Sequence, residues 1–196
     1  MLVTKISVVI ATFNRNAKLK KCLESIINQT AQVNEIIVVH DGPNLKFDLF
    51  MQDTFSEEIK KGLISFHHTL TWSGRPAPAR NYGLNISKGN LVAFCDDDDI
   101  WFPYKIQEQI KYITTKSNVD GVFSKYTPIY NELPLMDQLL PPTFYPTQSF
   151  TEIKLPNFLD GSGLCLSSCL IRRSSIPICG FDERKFVKHS RITIYG

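Results

Sequence analysis

The 196-residue chain carries 22 basic and 19 acidic residues, a net charge of +3, too mild a balance to make nucleic acid its main partner. Its length suits one domain of ordinary size with a real core, and the first apolar stretch, residues 6–13, is too short for a bilayer span and lacks a signal-peptide cleavage pattern. The five cysteines, at 22, 95, 165, 169 and 179, show no repeated Cys-x-x-Cys spacing and no partner pair that would complete a zinc site around Cys165 and Cys169, so they read as reduced thiols of a soluble, cytoplasmic protein.

Residues 6–11 form a β-branched run suited to a strand buried on both faces, as in a parallel sheet. A polar loop follows, and Leu19, Cys22, Leu23, Ile26 and Ile27 then recur at helical spacing over 17–28. Residues 35–40 repeat the buried-strand pattern and end in Asp41-Gly42-Pro43, which completes a β-α-β unit with a right-handed crossover. A helix is expected over 49–61, a third strand over 63–67, and a loop over 71–78, where Ser, Gly, Arg and Pro concentrate. The next helix spans 79–87 and closes near Lys88-Gly89, with Gly89 supplying a left-handed cap.

A fourth strand, Leu91, Val92, Ala93, Phe94 and Cys95, runs into four consecutive aspartates, Asp96, Asp97, Asp98 and Asp99. A helix over 104–114 and a strand over 121–124 come next. Residues 133–158 then hold five of the eleven prolines, interleaved with Phe and Tyr. This irregular stretch suits a lid or binding loop rather than regular sheet or helix. A last strand at 169–172 precedes Gly180-Phe181-Asp182-Glu183.

The aspartate run sits where a buried strand ends. Carboxylates packed so closely raise one another's pKa unless a cation neutralises them, and oxygen-only ligands select Mg²⁺ or Mn²⁺, usually held jointly with substrate phosphates. The bland alternative is a solvated acidic turn. Polar groups also follow the first strand, at Thr12 and Asn14, and the second, at Asp41 and Gly42. In open α/β sheets such loops converge on one crevice beyond the carboxyl ends of the strands. There Phe13 can offer a ring face to a base, Asp41 a hydrogen-bond acceptor, and the aspartates a metal site on a diphosphate. A phosphotransferase with an aspartate nucleophile would be expected to carry its motif on the first strand. A dinucleotide-dependent oxidoreductase would need the Gly-x-Gly-x-x-Gly turn that this strand lacks.

Over residues 4–183 the chain resembles family 2 glycosyltransferases of the GT-A fold. The likeness rests on residues 6–15, on 35–42, on Arg80-Asn81-Tyr82-Gly83-Leu84, on 93–101, on 170–173 and on 180–183. It implies an α/β fold with a Rossmann-like, mostly parallel central sheet flanked by helices. One domain would span 1–183, with a nucleotide-binding half at about 1–125, an irregular Pro- and aromatic-rich acceptor-side half at about 126–183, and a basic tail at 184–196. The implied reaction is metal-assisted transfer of a sugar, with inversion, from a nucleoside-diphosphate sugar of UDP type to a carbohydrate or glycolipid acceptor. Mn²⁺ or Mg²⁺ is the implied cofactor. Peripheral contact with the inner face of a membrane remains compatible with the basic tail, and no nucleic acid partner is implied.

Carried over residue by residue, the resemblance makes Ala11 and Phe13 the lining of the base pocket and Asp41 the base reader. Arg80 lies near the diphosphate, Asp96 and Asp97 face the donor, and Asp98 is the metal ligand; Asp99 is left to Arg80 or solvent. Structural alternatives stand beside these roles: core packing for Phe13, turn formation for Asp41, and a salt bridge to the aspartates for Arg80. The sequence departs from the family at its end. Residues 184–196 contain no acid, whereas family members usually carry an acidic pair there whose Asp is the catalytic base. Asp160 is a weak substitute, His189 a weaker one. A truncated or non-catalytic nucleotide-sugar binder is the alternative reading.

Overall fold

The computed structural model describes residues 4–116, 118–124, 151–152 and 165–183. Among these, seven strands form one sheet: β1 (Ile6–Thr12), β2 (Glu35–His40), β3 (Ile64–His68), β4 (Leu91–Asp96), β5 (Gly121–Phe123), β6 (Thr151–Glu152) and β7 (Cys169–Arg172). Their order is β3-β2-β1-β4-β7-β5-β6. The expected parallel arrangement holds from β3 to β4. Beyond β4 every pairing is antiparallel.

Period-two alternation sends the strand side chains to two separate cores. Val8, Ile10, Ile36, Val38, Ala93 and Cys95 pack with α1 (Asn16–Ile27), α2 (Leu45–Thr54) and α5 (Lys105–Thr115). On the opposite face Val9, Ile37, Val39 and Phe94 meet α4 (Pro76–Ile86) and the segment after β7. Gly83 allows α4 to lie close on the sheet, since a Cβ there would stand 2.5 Å from Val9 Cγ1.

Three expectations are corrected. Helix α4 begins at Pro76, inside the stretch read as loop, because Pro76 and Pro78 occupy a first turn whose N–H groups need no helical partner. It ends at an extended Ser87, with φ −67° and ψ 143°. Gly89 is not a left-handed cap; it is a close-approach residue, whose Cβ would stand 2.6 Å from the Ser7 backbone nitrogen. The helix expected over 49–61 begins earlier, at Leu45, where the Asn44 side chain accepts a hydrogen bond from Phe47 N. It breaks at the buried Phe55, and a short α3 (Ser56–Lys60) follows.

Within the proline-rich 133–158 only β6 is described, a two-residue strand where regular sheet was not expected. The rest of that stretch, Asp160, and the tail 184–196 with His189 lie outside the described residues. No helix among the described residues is long and apolar enough to cross a membrane.

Candidate active site

The parallel register sets Ala11 of β1 between Val39 of β2 and Asp96 of β4, so the carboxyl ends of all three strands open on one crevice. At the β4 end, a turn closed by Asp99 N donating to Asp96 O (3.0 Å) gives each aspartate a different neighbour. Asp96 pairs with Arg80 of α4, and its backbone N–H donates to Ser167 Oγ at 2.9 Å. Asp97 is buried; its Oδ2 accepts from Thr12 Oγ1 at 2.7 Å and its Oδ1 from Arg15 Nη1 at 3.1 Å. Asp98 also meets Arg15 Nη1 at 3.1 Å, with Lys18 Nζ at 3.6 Å, and its side chain keeps 38% exposure.

Arg80 is therefore committed to Asp96. It is not the partner of Asp99: burial, and then its acidic neighbours Asp96, Asp98 and Asp97, push the Asp99 carboxyl up to about 6 against the pull of the Ser167 hydroxyl. Burial likewise raises Asp97, against the pull of Thr12 and Arg15.

Three cations, Arg15, Lys18 and Arg80, pair with three carboxylates, Asp96, Asp97 and Asp98. Among the described residues no three His, Cys, Asp or Glu side chains cluster as a ready metal cage. An oxygen-only donor set of one or two carboxylates fits Mg²⁺ or Mn²⁺ that takes its remaining ligands from phosphate and water. Asp98, the most exposed of the three ion-paired aspartates, is the best placed to serve.

Arg15 and Lys18 escaped the sequence reading, although a signal existed. Both stand at the start of α1, where positive charge opposes the helix dipole. Basic residues at that end call for carboxylates opposite.

At the β2 end, Asp41 is buried and turned toward the loop at 69–75. Its carboxylate accepts from Thr69 Oγ1 (3.2 Å), Ser73 N (2.9 and 3.1 Å) and Gly74 N (2.8 Å). Trp72, at the tip of this loop, is held against Gly42, where a Cβ would stand 3.0 Å from Trp72 N. Its ring centroid lies 6.1 Å from that of Phe13. Phe13 is 43% and Trp72 66% exposed, so Phe13 is not a core ring, and the pair forms an open aromatic surface beside the crevice. His40, buried behind Phe13, faces Gly42 O through Nδ1 at 2.7 Å and the donors Asn14 N and Asn44 Nδ2 through Nε2. These partners select the tautomer with the proton on Nδ1.

A family model, Glycosyl transferase family 2, matches residues 7–177. An uncharacterised glycosyltransferase of Methanocaldococcus jannaschii is 37% identical over 120 residues, covering 61% of this chain and 40% of that protein. The Escherichia coli UDP-Glc:alpha-D-GlcNAc-diphosphoundecaprenol beta-1,3-glucosyltransferase WfaP is 33% identical over 129 residues, covering 65% and 47%. The chain thus spans under half the length of these relatives. A crystal structure of residues 1–349 of Staphylococcus aureus TarS in complex with UDP-GlcNAc superposes with a TM-score of 0.61 at 18% identity, covering 87% of this chain and 46% of that one. A crevice at the ends of β1, β2 and β4, the GT-A architecture and a match over most of the sequence converge: the chain belongs to glycosyltransferase family 2.

Proposed function

We propose that the chain binds a nucleoside-diphosphate sugar of UDP type and transfers the sugar, with inversion at the anomeric carbon, to a hydroxyl of a carbohydrate or glycolipid acceptor. The observation that carries the reading is the layout of the crevice: an exposed aromatic pair, Phe13 and Trp72, on one side of the β1 end, and the aspartate run with Arg80 and Arg15 on the other. A base stacks on the first and a diphosphate sits beside the second. The UDP-Glc donor in the name of the E. coli relative and the UDP-GlcNAc bound by TarS support a uridine nucleotide. The lipid diphosphate in the former name supports a glycolipid acceptor.

Ala11, whose backbone pairs with β2 and β4 and whose small side chain packs beside Val39 and Ala79, leaves room at the crevice floor for the nucleoside. Asp41 contributes to base recognition through the loop it holds, since its oxygens already accept hydrogen bonds from Thr69, Ser73 and Gly74. Asp96 and Asp97, fixed by Arg80 and by Thr12 with Arg15, face ribose and sugar. Asp98 would hold Mn²⁺ or Mg²⁺, which when bound neutralises charge on the departing diphosphate. Arg80 and Arg15 add fixed positive charge beside the same leaving group. The proton of the acceptor hydroxyl needs a general base; none is assigned among the described residues, and Asp160 is a weak candidate outside them.

A thermal-shift series with UDP, GDP and dTDP, each with and without Mn²⁺, tests the donor side. At a hundredfold excess over Kd a ligand adds about 2.7 kcal/mol, roughly 5–10 °C for a chain of this size. The gain should depend on Mn²⁺ and vanish in Asp98→Ala. No stabilisation by any of the three nucleotides would overturn the reading. Donor binding with no transfer of sugar to any acceptor, and so no release of nucleoside diphosphate, would leave binding alone.

A further inference from the structure

The sequence Gly180-Phe181-Asp182-Glu183 lies far from the aspartate run along the chain, yet one side chain of α4 fastens it there. Asn81 pairs with both backbone polar groups of Phe181: Oδ1 accepts from Phe181 N at 2.8 Å, and Nδ2 donates to Phe181 O at 2.9 Å. The same Nδ2 reaches Glu183 Oε1 at 2.8 Å. Arg75, at the start of α4, donates to Glu183 O at 2.6 Å. Gly180 permits the latch in two ways: its φ of 62° is a left-handed conformation, and any Cβ there would collide with Asn81 Oδ1.

The consequence of the latch is the position of the Phe181 ring. One edge meets Phe94, two residues before Asp96 on β4, at 5.1 Å between centroids and nearly perpendicular. The guanidinium of Arg80 lies over the same ring, 5.6 Å from its centroid, within range of a cation–π attraction. Arg80 in turn pairs with Asp96. A continuous set of contacts therefore runs from Asn81 through Phe181 and Arg80 to the aspartate run. A freely rotating arginine loses side-chain entropy each time it is ordered on a ligand; a ring beneath its guanidinium, with Asp96 as its ion-pair partner, removes part of that loss in advance.

Resting on the reading that Arg80 faces a donor diphosphate, we propose that Asn81, Gly180 and Phe181 are positioning residues. Their latch holds the Arg80 guanidinium at the diphosphate end of the crevice, so that the segment after β7 controls phosphate affinity without touching the nucleotide. The base end, built from Phe13, Trp72 and the loop held by Asp41, meets this set at Arg75, whose bond to Glu183 O involves neither the Phe181 ring nor Arg80. The latch should therefore act on the diphosphate and not on the nucleoside.

The experiment measures Kd in the presence of Mn²⁺ for whichever of UDP, GDP and dTDP stabilises the wild-type chain, and for the matching nucleoside. Variants are Asn81→Asp, which cannot donate to Phe181 O, and Phe181→Leu, which keeps apolar packing on Phe94 and loses the ring beneath Arg80. Each should weaken the nucleoside diphosphate about tenfold and change the nucleoside less than twofold. Phe181→Leu should have no further effect on the diphosphate in an Arg80→Gln background. Phe181→Leu keeps the test alive if Asn81→Asp fails to fold. Equal losses for diphosphate and nucleoside, unchanged diphosphate affinity, or additive losses with Arg80→Gln would each overturn the latch while the functional reading stands. Absence of binding by any of the three nucleotides to the wild-type chain would remove that reading and the latch with it.

Discussion

On one side of β4, strands β1, β2 and β3 pair in parallel; β1 and β2 are buried over nearly their whole length, and the edge strand β3 buries Ile64. On the other side β7, β5 and β6 are short and pair antiparallel; β5 and β7 are buried as well, and polar side chains that reach backbone groups of distant segments pin the region further. Arg172 donates to Val119 O (2.8 Å), Ile113 O (2.7 Å) and Lys116 O (3.1 Å). Gln109 donates to Ser168 O at 2.7 Å, and Arg173 to Leu84 O at 2.9 Å. The first half is held by burial, which tolerates changes in polar detail. The second adds to burial a set of named donors, and removing one strips hydrogen bonds from carbonyls that the packing has taken out of water.

The largest expected effect falls in the parallel half. Ile10 is fully buried at the centre of β1, under α1, so Ile10→Ala should cost about 3–4 kcal/mol by lost burial and the cavity left behind. Reversible chemical denaturation measures it. A loss below about 1 kcal/mol would mean that this half does not depend on close packing.

Next is Arg172→Met in the antiparallel half. The substitution keeps the stem but strips donors from three carbonyls near the α5–β5 connection, and about 2–3 kcal/mol should be lost. Hydrogen exchange sharpens the comparison: protection should fall in β5 and β7 and stay unchanged in β1 and β2. A uniform loss across the sheet would show that the halves unfold as one unit.

The same contrast explains what could be read from sequence. Strands β1, β2 and β4 announce themselves because a strand buried on both faces must be apolar throughout, and the loops after them place the crevice without knowledge of any long-range contact. Strand β7 is legible at Cys169–Arg172 for the same reason. The pins are not legible, because Arg172 or Gln109 looks like any surface polar residue until its carbonyl partners, far away in sequence, are brought to it. Asn81 belongs to this class: its Arg80-Asn81 motif could be quoted, but its pairing with Phe181 spans 100 residues. Within the site, Asp98 and Phe13 stand exposed at the strand ends where the loops place them. Asp41 was readable as an acceptor, whereas its donors, the amides of Ser73 and Gly74, belong to a loop with no periodic signal.

The smallest effect comes from a polar group that works against its half. Lys105, at the start of α5, places Nζ 3.8 Å from the centre of the Trp101 ring and 2.9 Å from Gln109 Oε1, and burial pulls its pKa down to about 8 from 10.5. Below pH 8 the lysine is charged in both folded and unfolded chains, so the full cost of burying the ammonium opposes folding. Between about pH 8 and 10.5 the folded chain releases the proton first, the unfolded chain holds more protons, and stability rises with pH. The cation–π contact with Trp101 offsets part of the cost. Lys105→Met, which keeps the stem and suits the indole face, should therefore stabilise the fold at pH 7 by only about 1–2 kcal/mol. The advantage should shrink as pH climbs from 8 and be gone near 10.5. The neighbouring Cys165 and Cys169 thiols, pushed up to about 11 chiefly by burial, act in the opposite sense: they favour the fold below their ordinary pKa and lose that contribution as pH rises toward 11. Because both chains carry these thiols, the difference between the two denaturation curves reports the lysine together with its charge coupling to Cys169. A difference that stays constant from pH 7 to 10.5 would mean that the Lys105 ammonium keeps its water, and that the antiparallel half is less dry around α5 than its packing implies.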